Sequence, residues 1–413
     1  MARARARVEE VLRRLLGVKE LVVRGAHFEP HGVEVEVRPR QRRARCPECG
    51  RPSPGYDTAP SRLWRHLSLG RTAFWLRYAP RRVHCREHGV KVERVPWAAH
   101  GSHFTYEFEQ MTAWLAQRMD RTATCRLMGI NWRTVGTVVQ RVVQARLDPT
   151  RLEELYVIGV DELSFRRHHE YVTVVVDPLK KRVVWVGEGK GEKTLLKFFD
   201  ELGQERSQAI THVTMDLGAA YRSAVEARAP QAQKVFDRFH VQKLASEAVD
   251  TVRRQEVGLL GGAPEGRALK KSRWALLKNP WNLTVRQGQK LSEVARTNRR
   301  LYRAYLLKES LAQGLDYRQR QRAEQHLEGW AQWACRSKLT PFVKLSRTLR
   351  RFREGILAYT TTGLSNGLLE GLNNKIRLIT RRAFGFHSAQ ALTAMIHLCC
   401  GGLSLTPPLP TPN

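Results

Sequence analysis

The chain has 413 residues, 42% of them hydrophobic, enough for several domains that each bury a core. Its 71 Lys and Arg against 39 Asp and Glu leave a net charge of +32, which sets it apart from an ordinary globular protein and points to a polyanionic partner, nucleic acid first. The basic start Met1–Glu10 has no apolar core behind it, no apolar run approaches the ~20 residues of a membrane span, and four of the seven cysteines are scattered. These features speak against a secretory signal, a membrane protein and a disulfide framework, and leave a reducing cytoplasm as the expected compartment. Arg outnumbers Lys 54 to 17, a bias that suits bidentate phosphate contacts and is equally open to an origin in genome composition.

Val8 to Leu16 reads as a short amphipathic helix. Leu21 to Phe28 and Val33 to Val37 read as strands, the second alternating Val and Glu. Next comes Cys46-Pro47-Glu48-Cys49-Gly50, answered by Cys85-Arg86-Glu87-His88-Gly89. Each half sets two soft ligands three residues apart before a Gly, a turn that aims both side chains at one ion. Four ligands, Cys46, Cys49, Cys85 and His88, close a tetrahedral structural Zn²⁺ site, with His84 and His66 as rivals for the last place. The apolar link Leu63, Trp64, Leu67, Phe74, Trp75 and Leu76 around Leu69-Gly70-Arg71 predicts a hairpin carrying both knuckles, as in a zinc ribbon. With 22 basic and 10 acidic residues from Met1 to Phe104, the module reads as nucleic-acid binding.

Phe108, Met111, Leu115 and Met119 recur at helical spacing. A short helix over Thr122–Met128, a turn at Gly129-Ile130-Asn131 and a longer helix over Trp132–Leu147 follow, with Asn131 as N-cap. This is the helix-turn-helix pattern, or else a plain helical hairpin. As the former, it would offer Arg133 and Thr134 to the major groove.

Leu155–Pro178 reads LYVIGVDELSFRRHHEYVTVVVDP. Two β-branched runs, Tyr156–Val160 and Tyr171–Val176, predict strands, the first ending in Asp161-Glu162 and the second in Asp177-Pro178. A carboxylate at the end of a buried strand needs a positive partner such as a metal ion; otherwise the strand simply ends in a polar turn. Arg182–Val186 predicts a third strand and Ile210–Met215 a fourth that ends in Asp216. Gln233–Phe236 is a fifth, and helices are expected at Glu192–Leu202, Ala219–Ala227 and from His240. The order strand, strand, strand, helix, strand, helix, strand, helix is the ribonuclease H-like arrangement. It sets the first and fourth strands side by side and Asp161 near Asp216, hard oxygens that suit Mg²⁺.

Pro264–Arg353 reads as an all-helical insertion with Trp274, Trp281, Trp330 and Trp333 as apolar anchors. After it, Glu370 is the only acidic residue between Gly355 and Asn413, in a segment, Lys338–Arg382, with ten basic and two acidic residues. A lone carboxylate there suits a metal site beside a phosphate backbone, or is a surface glutamate on a basic helix.

These residues resemble the DDE transposases of the ISL-three family of bacterial insertion sequences. The paired CPECG and CREHG knuckles, VIGVDELSFRRHHEYVTVVVDP, HVTMDLGAAYRSAV, VFDRFHVQKLASEAVDTVRR, LKKSRWALLKNP and TTGLSNGLLEGLNNKIRLITRRAFGF carry the resemblance, which spans nearly the whole chain. His88 departs from the cysteine common there. The resemblance implies a catalytic triad of Asp161, Asp216 and Glu370 holding two Mg²⁺ (or Mn²⁺) ions, hydrolysis at the transposon ends to a 3′-OH, and joining of that 3′-OH to target DNA. It implies that Lys375, Arg377, Arg381 and Arg382 grip the DNA backbone, that the zinc and helix-turn-helix modules bind the terminal inverted repeats, and that at least a homodimer pairs two ends. Asp237 and His240 match a family motif without an assigned chemical role. The expected layout is a zinc-binding module over 1–104, the helix-turn-helix over 105–150, an α/β catalytic core over 151–258 and 361–405 interrupted by an all-α insertion over 259–360, and a disordered tail over 406–413. A bacterial, nucleoid-associated, cytoplasmic protein is expected, and a catalytically silent DNA-binding descendant is the alternative.

Overall fold

The computed structural model describes residues 8–18, 20–166, 170–217, 219–364 and 367–408. Of the motif residues above, Arg167, His168, His169, Gly218, Ser365 and Asn366 lie outside that set. The chain forms two compact units, one of residues up to Arg146 joined by the segment from Leu403, the other Leu147–Gly402.

In the first unit, helix α1 (Val8–Leu16) precedes strands β1 (Leu21–Glu29) and β2 (Gly32–Pro39). Strands β3 (Gly55–Thr58), β4 (Arg62–Leu69), β5 (Thr72–Tyr78), β6 (Arg81–Cys85) and β7 (Gly89–Val92) follow. The predicted hairpin exists as β4–β5, but it does not carry the knuckles. It joins β1 and β2 in a four-stranded sheet of order β1-β2-β5-β4, whereas Cys85 ends a strand of a separate sheet of order β3-β6-β7, and Cys46 and Cys49 lie in the turn before β3. The reason is packing: alternate residues Trp64, Phe74 and Leu76 are buried with Val33, Val35 and Trp97, so the hairpin serves that core. Trp97 meets Trp64 and Tyr78 edge-on, with centroids 5.7 and 5.5 Å away.

Helices α2 (Tyr106–Arg118), α3 (Arg121–Met128) and α4 (Trp132–Arg146) complete this unit. Each boundary has a local cause. Asp120 accepts from Ala123 N at 2.9 Å, Gly129 closes α3 at φ 63°, and Asn131 accepts from Thr134 N at 2.9 Å. Val135, Val138, Val139, Val142 and Val143 form the buried stripe of α4. A buried carboxylate, Glu109, pairs with Arg141 at 2.6 Å and ties α2 to α4. At the start of the tail expected over 406–413, Gln110 of α2 donates to the Thr406 carbonyl; residues 409–413 lie outside the described residues.

The second unit opens with β8 (Val157–Arg166), β9 (Glu170–Asp177) and β10 (Arg182–Glu188). It continues through α5 (Glu192–Leu202), α6 (Gln204–Gln208), β11 (His212–Met215), α7 (Ala219–Arg228), β12 (Gln233–Phe236) and α8 (Arg238–Leu260). The sheet order is β10-β9-β8-β11-β12; the first three strands are antiparallel, and β11 runs parallel to both β8 and β12. β8 does not end at Asp161 as expected. It runs five residues further because β9 pairs with it from Gly159 as far as Arg166, while β11 leaves it after Gly159. Asp177 has no metal-like role: it is buried and accepts from Leu179 N and Lys180 N at 2.9 and 3.0 Å, a polar turn.

The long helical stretch comprises α9 (Pro264–Lys270), α10 (Arg273–Leu277), α11 (Val285–Thr297), α12 (Arg299–Gly314), α13 (Arg320–Arg336), α14 (Thr340–Arg351) and α15 (Arg353–Thr362). Its core is continuous with that of α8 and the sheet. Of the four tryptophans expected to anchor it, only Trp330 is buried, at 2% exposure, with its indole N–H on the Leu307 carbonyl; Trp281 stands 76% exposed. Composition alone could not separate a core tryptophan from a surface one. Helices α16 (Gly367–Arg382) and α17 (Ala389–Cys400) close the unit.

Candidate active site

The β8–β11 pairing places two carboxylates. Its last paired residues are Gly159 and Thr214, and each strand carries an aspartate two residues further on, Asp161 and Asp216. Parallel strands in register thus bring both to the same level. Burial first, and then the charge of Asp216, push the Asp161 carboxyl above the usual carboxylate range.

Each aspartate is held by a polar side chain from a helix. The Glu162 backbone N–H donates to Asp161 Oδ1 at 2.7 Å, and Asn373 Nδ2 of α16 donates to Asp161 Oδ2. On Asp216, His240 Nε2 of α8 lies 2.8 Å from Oδ1, and His240 Nδ1 lies 3.5 Å from the buried Asp237. Burial alone would lower the His240 pKa, but the two flanking carboxylates raise it to about 9. His240 and Asp216 thus form a close ion pair. Glu162, Lys190, Asp216, Tyr221, His240 and Lys243 line a cleft of about 590 Å³.

Glu370 is exposed in the first turn of α16, with Leu369 and Asn373 on either side reaching β8. Among the described residues, the three carboxylates do not converge to within 4.8 Å of one another. Asn373 and Gly159 drew no functional reading from the sequence. The available signals were the i, i+3 spacing of Asn373 from Glu370 and a glycine two residues before Asp161.

Of the basic residues expected to grip DNA, Lys375, Arg377 and Arg381 are exposed on α16 and Arg382 is half-buried; Lys375 Nζ donates to the Cys399 carbonyl at 2.6 Å and Arg377 to Asn374 Oδ1 at 3.2 Å. In the first unit Arg133 is exposed and lies over the Trp132 ring, while the Thr134 hydroxyl bonds Asn131 at 3.0 Å.

Cys46, Cys49, Cys85 and His88 present ligand atoms all within 4.8 Å of one another. Cys49 Sγ–Cys85 Sγ is 3.7 Å, Cys85 Sγ–His88 Nδ1 3.5 Å and Cys46 Sγ–His88 Nδ1 3.8 Å. A tetrahedron with zinc–sulfur bonds of ~2.3 Å has edges of about 3.8 Å, so the residues fit zinc. The second knuckle is itself the β6–β7 turn, between Cys85 and Gly89. Hydrogen bonding to His88 first, then to backbone N–H groups, draws the Cys85 thiol down to about 6, toward the thiolate that binds metal. His88 Nε2 lies 3.4 Å from Glu48, a carboxylate that orients the ring from behind. The rival ligands do not take part: His84 is exposed, and buried His66 bonds Thr105 at 2.9 Å.

Residues 158–396 match a family model described as a transposase. Residues 93–143 match the helix-turn-helix domain of transposase family ISL3, and residues 42–88 the zinc-finger of transposase IS204/IS1001/IS1096/IS1165. The chain is 42% identical over 426 residues to the transposase for insertion sequence element IS1557 of Mycobacterium tuberculosis, covering 95% of each. It is 29% identical over 361 residues to the transposase for IS1001 of Bordetella parapertussis, covering 87% of this chain and 89% of that one. A zinc-ribbon module, a helix-turn-helix and a transposase domain in that order define the class. The chain belongs to the ISL3 family of transposases.

Proposed function

We propose that this chain is an active DDE transposase with Asp161, Asp216 and Glu370 as its catalytic carboxylates. It binds the terminal inverted repeats of its own insertion sequence, cuts the end phosphodiester to free a 3′-OH, and joins that 3′-OH to target DNA. We read the five-stranded mixed sheet as ribonuclease H-like and the helices over 259–360 as an insertion between Asp216 and Glu370. The observation that carries the reading is the pair Asp161 and Asp216 at one level on adjacent parallel strands.

The donor set fits a hard divalent cation. It comprises two neighbouring carboxylates, Asp161, pushed up by burial and then by the charge of Asp216, and Asp216, paired with His240. Asp161, Asp216 and Glu370 would hold Mg²⁺ (or Mn²⁺), which would supply a water of lowered pKa and positive charge beside phosphorus. The protein's own part is positional. Asp161 takes one N–H at each oxygen and keeps lone pairs on both, so either oxygen could still bind a cation. His240 orients Asp216 from behind. Lys190 and Lys243 line the cleft, where they would meet a DNA phosphate, and Arg377 and Arg381 would hold the flanking backbone. The zinc module and helix-turn-helix recognise the end, with Arg133 toward the groove, and pairing of two ends calls for at least a dimer.

The test is cleavage of a labelled duplex bearing the element's end, with Mg²⁺ and with EDTA, beside Glu370→Gln. Metal-dependent 3′-OH formation at the boundary, lost in the variant, is expected. Binding without cleavage in either protein would overturn the catalytic reading in favour of a silent DNA-binding one.

A further inference from the structure

Helix α16 presents a buried stripe to the rest of its unit: Leu369, Leu372, Asn373, Ile376 and Ile379. Four of the five are aliphatic. An aliphatic stripe is held by burial, which is non-directional and only weakly selects the position of a helix along a sheet. Asn373 is the exception. It is 4% exposed and makes a directional contact, its Nδ2 donating to Asp161 Oδ2 on β8. A buried carboxamide facing aliphatic side chains loses that hydrogen bond, so a slip or roll of α16 is selected against at this one residue. A second contact lies one turn earlier. A Cβ on Gly159 of β8 would come within 2.6 Å of Leu369 Cδ1, so the helix touches the strand where a side chain is missing. Leu369 immediately precedes Glu370 and Asn373 follows it by three residues. The two contacts therefore bracket the late carboxylate, and both fall on β8, at and two residues before Asp161.

We propose that Asn373 is a positioning residue that pins the register of α16 on β8 and thereby couples the geometry of Asp161 to that of Glu370. The inference rests on the reading of these two carboxylates as metal ligands. The Asn373 amide acts in two ways. Its N–H holds Asp161 Oδ2 in a fixed orientation. Through the backbone of a single helical turn, the same bond fixes where Glu370 emerges. Buried Asn373 Oδ1 makes no hydrogen bond, so the carboxamide contributes here through its donor.

The test uses the full chain and Asn373→Leu, which keeps the volume and apolar burial of the stripe and removes the donor. Asn373→Ala, Asp161→Asn and Glu370→Gln accompany it. Binding of Mn²⁺ alone to the DNA-free protein is followed by electron paramagnetic resonance. Single-turnover cleavage of end-bearing duplex is measured across a metal titration, and DNA affinity and thermal melting serve as controls. Asn373→Leu is expected to melt within a few degrees of the parent and to bind DNA within about threefold. It should weaken Mn²⁺ binding about tenfold, raise the metal concentration at half-maximal cleavage, and slow cleavage at saturating metal 10–100-fold. A lowered melting temperature with unchanged Mn²⁺ binding and metal midpoint would overturn the proposal and leave a packing role. If Asn373→Leu fails to fold, Asn373→Ala is read on the same metal midpoint with the same two outcomes. Asp161→Asn and Glu370→Gln that bind Mn²⁺ and cleave like the parent would instead sink the underlying metal reading, whatever Asn373 does.

Discussion

His240 Nε2 stands 2.8 Å from Asp216 Oδ1, with Asp237 behind the same ring at 3.5 Å. A carboxylate–imidazole–carboxylate relay thus runs from the first turn of α8 to the end of β11. The relay holds Asp216 in place through one of its two oxygens. His240→Ala is therefore expected to reduce cleavage 10–100-fold while DNA affinity stays within about threefold, and Asp237→Asn to fall between that variant and the parent. Equal cleavage by His240→Ala and the parent in a single-turnover assay would remove the histidine from the site.

Gly159 makes room for the helix that carries Glu370. Its Cβ would meet Leu369 Cδ1 at 2.6 Å and Val176 Cγ2 at 2.9 Å. Gly159→Ala should cost about 1–3 kcal/mol of stability and more than tenfold in cleavage, because α16 must move off β8. A compensating Leu369→Ala in the same chain should restore part of both. Melting curves and cleavage rates of the single and double variants check this.

Zinc removal should act on the first unit only. Metal analysis is expected to find one zinc per chain, lost in Cys85→Ser with melting of β6–β7. Glu48→Gln should weaken zinc 10–100-fold in a chelator competition, because the carboxylate 3.4 Å from His88 Nε2 no longer orients the ring.

Two buried histidines make the fold acid-sensitive. Burial lowers the pKa of His66 and of His397 to about 4. A histidine with a depressed folded pKa binds its proton more readily when unfolded, so its contribution is present above the ordinary value near 6.5 and is lost as pH falls toward 4. Each site accounts for roughly 2–3 kcal/mol across that window. Denaturant melts at pH 7 and pH 4.5 should show the loss. His66→Gln should flatten it for the first unit, since glutamine can still bond Thr105 without charging; an unchanged pH profile would exclude His66 as a source.

Salt dependence separates the basic residues of α16. Arg377→Ala and Arg381→Ala should each lower the slope of log affinity against log salt by ~1. Lys375→Met should lower it by less, since its ammonium is tethered to the Cys399 carbonyl. A fall as large as that of the arginine variants would show that the lysine leaves α17 for phosphate.

Much of this protein was legible in its residues because the signals are local. Cys46, Cys49, Cys85 and His88 declare themselves by spacing, the α3–α4 turn by Gly129 and Asn131, and β8, β9 and β11 by β-branched runs with an aspartate at or just beyond the paired stretch. What stayed hidden depends on contacts between distant segments. The β4–β5 hairpin reads as the carrier of the knuckles until burial against Trp97 assigns it to another sheet. Tryptophan content says nothing of which indole is buried, so Trp330 and Trp281 look alike in sequence. Lys375 and Arg377 look equally free until α17 packs nearby. Asn373, within a motif read only for its glutamate, gains its meaning from a β8 carboxylate 212 positions earlier. Sequence determines which groups are available and the period of each element. Only the tertiary structure decides which polar group meets which, because pairing in a low-dielectric interior is selected by the whole packed arrangement.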